Sequence, residues 1–374
     1  MILFSRPGFL DAALINIQEA LSSRRLCGDG PFCRRAEALL EAAVGVPRAL
    51  VTTSCTHALE MAAMLLEIVP GDEVIVPAFT FVSTVNAFVL RGARPIFADI
   101  RPDTQNLDET QLESLVTPRT KAIVPVHYAG VGCEMDAILA VAKKCGARVV
   151  EDNAHGLFGS YRGKQLGTFG AMATQSFHDT KNFTCGEGGA LLVNDPQFAE
   201  RAEFLREKGT NRSRFFRGQV DKYTWVDIGS SYVLSDILGA VLLSQLEARE
   251  EIQRRRAWIW NRYAMELADW ATARGFRQPT VPAHCEQSFH MYYLLLPADV
   301  RPLFIDHLKE RGVQAVFHYQ SLHLAPMGLA HGGKRGMCPV TERVSDELVR
   351  LPLYNDLSEA DQTTVIDAVR SFQA

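Results

Sequence analysis

The sequence predicts an α/β fold in which a large unit, with a mostly parallel sheet and helices on both faces, precedes a small α+β unit. Three observations carry this expectation. Short apolar strands alternate with amphipathic helices over residues 48–195. An aperiodic stretch rich in arginine, aromatic and amide residues, 208–229, ends that alternation, and a loop of this length is usually functional. Beyond it, helical spacing leads into a compact mixture of strands and helices over 280–374.

Phe9, Leu10, Ala13, Leu14, Ile17 and Ala20 repeat at helical spacing, and the pattern breaks at Cys27-Gly28-Asp29-Gly30-Pro31 before a second helix over 32–44. That break reads as turn chemistry. A strand near 49–53 meets the turn Ser54-Cys55-Thr56, which opens an amphipathic helix towards residue 68. Free N–H groups at a helix start favour an anion, although a Ser/Thr cap alone explains such a turn. Strand 73–77 ends at a helix running through Leu90, with Phe79 and Phe81 placed to stack on a flat ring or to fill core. Strands at 94–99, 122–126, 149–152 and 173–177 follow, with helices over 107–115 and 136–145 between them. One long helix is expected from Ser235 to Ala271, then strand 291–296, helix 301–311, strand 314–319 and a closing helix over 359–372. The expected division is a large unit over 1–245 and a connecting helix with a small unit over 246–374.

Composition narrows the function classes. Of 374 residues, 47% are hydrophobic and 22% charged, as in ordinary globular proteins. A net charge of −4 gives no reason to expect nucleic acid or an anionic membrane as partner. No apolar run is long enough to span a bilayer, and no signal peptide is expected ahead of Phe4-Ser5-Arg6-Pro7. The eight cysteines form no Cys-x-x-Cys pair and no cluster with histidine, so they read as reduced thiols of a cytoplasmic protein without a metal.

Residues 149–189 are the chemical centre. Two buried strands there lead to Asp152 and, just beyond the second, to Lys181, with Gly186-Glu187-Gly188-Gly189 following. Ligands of open α/β sheets bind at strand ends. A lysine amine and a carboxylate in such a place fit pyridoxal phosphate, which needs an amine to condense with its aldehyde and an acid to keep its ring nitrogen protonated. A desolvated pocket helps the lysine shed its proton. Taken singly, each residue has a simpler reading: most lysines are solvated, and a strand-end aspartate often caps a helix.

Together these residues resemble the DegT/DnrJ/EryC/StrS family of sugar aminotransferases. The likeness rests on Asp152 with His155 three positions later, Ser176-Phe177-His178-x-x-Lys181-Asn182, the Gly186–Gly189 run, Pro77-x-Phe79-Thr80-Phe81, and His318-Tyr319-x-x-Leu322-His323. It extends over essentially the whole chain. The resemblance implies fold type I of the pyridoxal-phosphate transferases, with a seven-stranded sheet. Lys181 would anchor the coenzyme and shuttle a proton, Asp152 would pair with the ring nitrogen, and His155 would lie near the phenolic oxygen. Phe81 would stack on the ring, while Ser54, Cys55, Thr56 and Ser176 would hold the phosphate. Two departures stand out: Ser231 occupies a position where many members carry Asn, and Asn153 one where they carry a small residue.

The 208–229 loop is similar to that of one branch of the family, whose members aminate C4 of a dTDP-linked 4-keto-6-deoxy sugar with L-glutamate. On that likeness Arg212, Arg214, Arg217 and Lys222 are candidates for the sugar nucleotide's diphosphate, and Tyr223, His318 and Tyr319 for substrate contacts. The family forms its site at a dimer interface, which implies a homodimer with Ser231 and Arg212 supplied by the partner. Other readings compete: an aminotransferase for a different nucleotide-linked ketosugar, with a gluco product or another nucleotide; a dehydratase on the same fold, against which the lysine at 181 argues because that branch carries histidine there; and a non-catalytic coenzyme or sugar-nucleotide binder.

Overall fold

The alternation over 48–195 folds into one seven-stranded sheet in the computed structural model, which describes residues 1–373. Its strands are β1 (Arg48–Thr52), β2 (Glu73–Pro77), β3 (Arg94–Ala98), β4 (Thr120–Ile123), β5 (Arg148–Asp152), β6 (Met172–Ser176) and β7 (Gly189–Val193). In space they lie in the order β1-β7-β6-β5-β4-β2-β3. From β6 to β3 all neighbours are parallel, whereas β7 runs antiparallel to both β6 and β1. Every residue of β2 and of β7 is buried, which is what strands covered on both faces require.

Period-2 alternation sends neighbouring residues of one strand into different cores. Leu191 and Val193 of β7 pack with Leu59, Met61 and Ala62 of helix Cys55–Leu65. Ala190 and Leu192 face the other way, towards Leu40 of helix Pro31–Leu40 and Leu242 of helix Asp236–Glu247. The Gly28-Asp29-Gly30 break does more than turn the chain. A side chain at Gly28 would strike Val233, and one at Gly30 would overlap the Asp236 carboxylate, which accepts the Cys33 N–H at 2.8 Å.

The single helix expected over 235–271 is three: Asp236–Glu247, Arg249–Glu266 and Ala268–Ala273. Ala248 (φ −89°, ψ 12°) and Leu267 (φ −101°, ψ −2°) lie off helical geometry in both φ and ψ. Packing sets the first bend. The first helix is buried in the large-sheet core, while the second inserts Ile259, Trp260 and Tyr263 into a separate core. The 208–229 stretch contains one helical turn, Arg212–Phe216, with Phe215 against Phe216 and Tyr223.

That separate core is built on an antiparallel sheet of β8 (Tyr292–Leu295), β9 (Val316–Phe317) and β10 (Leu348–Leu351), with β10 in the middle. Tyr292, Leu294, Val349 and Leu351 face helices Val300–Glu310 and Glu359–Arg370. Tyr293, Leu295 and Leu348 point the opposite way and join Phe79 and Tyr128 of the large unit. The strand expected over 314–319 is only two residues long, because the chain leaves the sheet at His318. Among the described residues, no helix is long and apolar enough to cross a membrane.

Candidate active site

A cavity of about 560 Å³ opens where the carboxyl ends of β5 and β6 meet the turn after β1 and the outward face of the small sheet. The large unit supplies Ser54, Cys55, Thr56, Phe81, Asp152, His155, Ser176 and Lys181, and the small unit adds His318 and Tyr319. Ten of the residues singled out in the sequence therefore share one space.

Asp152 is the last residue of β5 and is buried. Its Oδ2 accepts a hydrogen bond from Thr84 Oγ1 at 2.7 Å, and its Oδ1 accepts one from the Ala154 N–H at 3.1 Å. Thr84 Oγ1 in turn lies 2.9 Å from Thr80 Oγ1, so two hydroxyls back the carboxylate. The neighbouring acid, Glu151, faces the other side of the sheet, as successive strand residues must. It accepts N–H bonds from Gly167 (2.8 Å), Phe169 (2.7 Å) and Gly170 (2.7 Å) and lies 2.9 Å from His127 Nε2.

Lys181 sits on a turn in which its N–H donates to the His178 carbonyl at 2.9 Å. The next residue fastens this turn to the small unit. Asn182 Nδ2 donates to the Ser288 carbonyl at 2.7 Å, and its Oδ1 lies 2.9 Å from His290 Nδ1. Burial lowers the Lys181 amine from 10.5 to about 8, against the opposing pull of Cys55 and Asp152, with Arg350 adding to the depression.

His155 stacks on His290, ring centroids 4.1 Å apart and planes 15° apart. Burial, reinforced by Lys181 and Arg350, pushes the His155 imidazole well below its usual range, so the ring is neutral. Its Nδ1 is buried with no hydrogen-bond partner among the described residues. His318 is likewise held neutral by burial, and its Nδ1 lies 2.9 Å from the Tyr128 hydroxyl. Phe81 stands at the rim, 55% exposed.

Ser54 caps helix Cys55–Leu65 by accepting the His57 N–H at 3.1 Å, which leaves its own proton free to donate inward. The glycine run makes this turn possible. A side chain at Gly189 would lie on the backbone of Ser54 and Cys55.

The remaining residues lie elsewhere on this chain. Arg212 and Arg217 border a second cavity of about 590 Å³ beside the Gly28 turn. They pair with Glu207 (3.1 Å) and Glu203 (2.8 Å), and Arg214 pairs with Glu200 (2.6 Å). Lys222, Tyr223 and Ser231 are exposed. Asn153 points away from the cavity and donates to the Leu166 carbonyl at 3.2 Å. Thr84, His290 and Arg350 line the cavity without having been read in the sequence. Neither the threonine in the helix after Phe81 nor the arginine in Leu-Val-Arg-Leu stands in a pattern that marks a site.

Similar proteins match this chain along nearly their full length. The spore coat polysaccharide biosynthesis protein SpsC of Bacillus subtilis is 35% identical over 376 residues, covering 98% of this chain and 96% of that one. The crystal structure of the aminotransferase TlmJ from Streptoalloteichus hindustanus superposes with a TM-score of 0.91 at 34% identity, covering 99% of this chain and 98% of that one. A putative sugar aminotransferase, Spr1654 from Streptococcus pneumoniae, solved in PLP and PMP forms, gives 0.91 at 27% identity. The PLP form covers 98% of this chain and 97% of that one. The model of the DegT/DnrJ/EryC1/StrS aminotransferase family matches residues 11–370. The fold is type I of the pyridoxal-phosphate enzymes, and the chain belongs to the DegT/DnrJ/EryC1/StrS aminotransferase family, sugar aminotransferases whose cofactor is pyridoxal 5′-phosphate.

Proposed function

We propose that this protein moves the amino group of L-glutamate to C4 of dTDP-4-keto-6-deoxy-D-glucose. The products are dTDP-4-amino-4,6-dideoxy-D-galactose and 2-oxoglutarate, for a bacterial surface polysaccharide made from the cytoplasm. The observation that carries the transamination is the Lys181 amine, lowered to about 8 in one cavity with the hydroxyl-backed Asp152 carboxylate. SpsC, by its name a polysaccharide biosynthesis protein, supports the sugar. The likeness of the 208–229 loop to one branch supports the nucleotide and the product.

The residues present fit the cofactor. The open N-terminus of helix Cys55–Leu65, with the Ser54 and Ser176 hydroxyls nearby, suits a phosphate. Asp152, fixed by Thr84 and Ala154, would hold a proton on the ring nitrogen. The unpartnered Nδ1 of neutral His155 offers a polar contact to the ring's edge, and Phe81 at the rim offers a flat face. Pyridoxal phosphate supplies the electron sink that makes the donor's α-proton removable. Lys181 is the base that takes this proton and returns it, and its lowered pKa keeps a neutral fraction ready near pH 8.

The chain works as a homodimer in this proposal, with Ser231 and Arg212 reaching the partner's cavity. The exposed apolar side chains Phe216, Trp225, Val226 and Ile228 on the intervening loop support a covered surface there. Residues 1–245 form the coenzyme-binding unit and 246–374 the connecting and small unit. The test is turnover of the purified enzyme with L-glutamate and dTDP-4-keto-6-deoxy-D-glucose, with the product's C4 configuration read from NMR coupling constants. The galacto product is expected from the wild type and none from Lys181→Ala. Turnover by that variant, or a gluco product, refutes the assignment.

A further inference from the structure

His290 lies two residues before β8, is buried, and lines the cavity. One face of its ring carries the stacked imidazole of His155, 4.1 Å away. At its edge, Nδ1 stands 2.9 Å from Asn182 Oδ1. Ser288 settles where the proton of this contact sits. Its carbonyl can only accept, so the Asn182 amide turns its nitrogen to Ser288 and its oxygen to His290. An amide oxygen brings no proton, so His290 Nδ1 donates, and the neutral ring keeps a lone pair on Nε2. Burial holds the ring neutral, and His155, Lys181, Arg350 and Arg256 add to the effect.

The rest of the segment is held as firmly. Arg256 Nε and Nη2 donate to the carbonyls of Phe289 (3.0 Å) and His290 (2.6 Å), and its Nη1 donates to Asn355 Oδ1 at 2.9 Å. Asn355 Nδ2 in turn donates to the Asn182 carbonyl at 3.3 Å. Ser288 Oγ donates to the His155 carbonyl, and the Ser288 N–H donates to the Gly130 carbonyl at 3.0 Å. Between Ser288 and His290, Phe289 takes a left-handed backbone (φ 56°), which a bulky residue adopts only where its surroundings force it.

One strained segment of the small unit thus grips the large unit in two places, at His155 and at the turn that carries Lys181. We propose that His290 is a positioning residue. Through its stack on His155 and its bond to Asn182, it holds the Nδ1 edge of His155 towards the coenzyme's phenolic oxygen, in register with the Lys181 amine. This role rests on the placement of the coenzyme proposed above and is the same for any sugar acceptor. A buried imidazole nitrogen without a partner is costly, and a phenolic oxygen at that edge would answer it by accepting its N–H. Such a bond favours the charged form of the oxygen. It therefore lowers the pH at which the linkage between Lys181 and the coenzyme gives up its proton.

The test compares the wild type with His290→Ala, His290→Phe, His155→Ala and the double alanine variant. In the holoenzyme the readout is the pH midpoint of the visible band. His290→Ala should raise it by about one unit, tenfold in the proton equilibrium, because a hydrogen bond to a charged oxygen is lost or misaligned. His290→Phe keeps a flat ring against His155 and should recover at least half of that shift; it also serves if the alanine variant fails to fold. Once His155 is absent, His290→Ala should move the midpoint no further, the signature of one residue acting through the other. An unchanged midpoint in His290→Ala beside a shifted one in His155→Ala overturns the proposal, and so do fully additive shifts. A second readout needs no coenzyme: the imidazole nitrogen NMR signals of the apo-protein. Wild-type His290 should show a protonated Nδ1, and the single set of His155 signals should broaden or split in His290→Ala; unchanged His155 signals there overturn the proposal. If His155→Ala itself leaves the midpoint in place, the placement of His155 at the phenolic edge fails by itself, and the apo-protein signals still decide whether His290 orients it.

Discussion

Coenzyme capture should depend on pH in a way set by the lowered Lys181 amine. Only the neutral amine attacks an aldehyde. At pH 7.5 an amine at the ordinary 10.5 is about 0.1% neutral, whereas one at about 8 is about 24% neutral, a gain of roughly 240-fold. The sign follows from burial: desolvation penalises the charged form, so the proton leaves at a lower pH. Mixing apo-protein with limiting pyridoxal phosphate in a stopped-flow spectrometer gives a second-order rate constant that reports the free enzyme. Its logarithm should rise with unit slope up to about pH 8 and then level off. A small acyclic amine run alongside corrects for the coenzyme's own titration. A corrected rate still climbing tenfold per pH unit at pH 9.5 would put the amine back near its solvent value and refute the argument from burial.

Three further outcomes can be checked. Thr84→Val removes the hydroxyl that donates to Asp152 at 2.7 Å, a bond to a charged group worth about 1.5–3 kcal/mol, so the coenzyme dissociation constant should rise at least about tenfold in a fluorescence titration; an unchanged constant would mean that the backing hydroxyls are idle. Gly189→Ala forces a methyl group onto the backbone of Ser54 and Cys55, with an expected stability loss of about 2 kcal/mol or more and poor coenzyme retention, read by thermal melting with and without pyridoxal phosphate. Trp225, 78% exposed, should be covered in the proposed homodimer, so Trp225→Glu should shift sedimentation from dimer to monomer with loss of turnover; a fully active monomeric wild type would remove the case for a shared site.

The parts of the fold legible in the sequence are those where one physical rule acts alone. A strand such as β2, covered on both faces, leaves an apolar run that needs no partner to be read. The reversed direction of β7 leaves no such trace, because an apolar run looks the same from either end. Strand β10 was missed because one face packs on helices and the other borders the cavity, so that Leu-Val-Arg-Leu reads as neither a helix nor a clean strand. The bends at Ala248 and Leu267 involve neither Gly nor Pro, and the first comes from packing against two different cores. Within the cavity, Lys181 and Asp152 were readable because their pairing has a chemical meaning. Thr84 and Arg350 were not, since their roles depend on neighbours far away in the chain.

The adjacent acids at the end of β5 set a limit on how this gene can change. Glu151 gathers the turn at Gly167–Gly170 behind the sheet, and Asp152 faces the cavity in front of it. Substitution can exchange either acid with damage confined to one side. Loss or gain of a single codon within the strand would exchange both at once, giving the cavity the scaffold's acid and the scaffold the cavity's. Lengthening or shortening should therefore be confined, among descendants of this sequence, to the loops flanking β5, while the strand itself keeps its length.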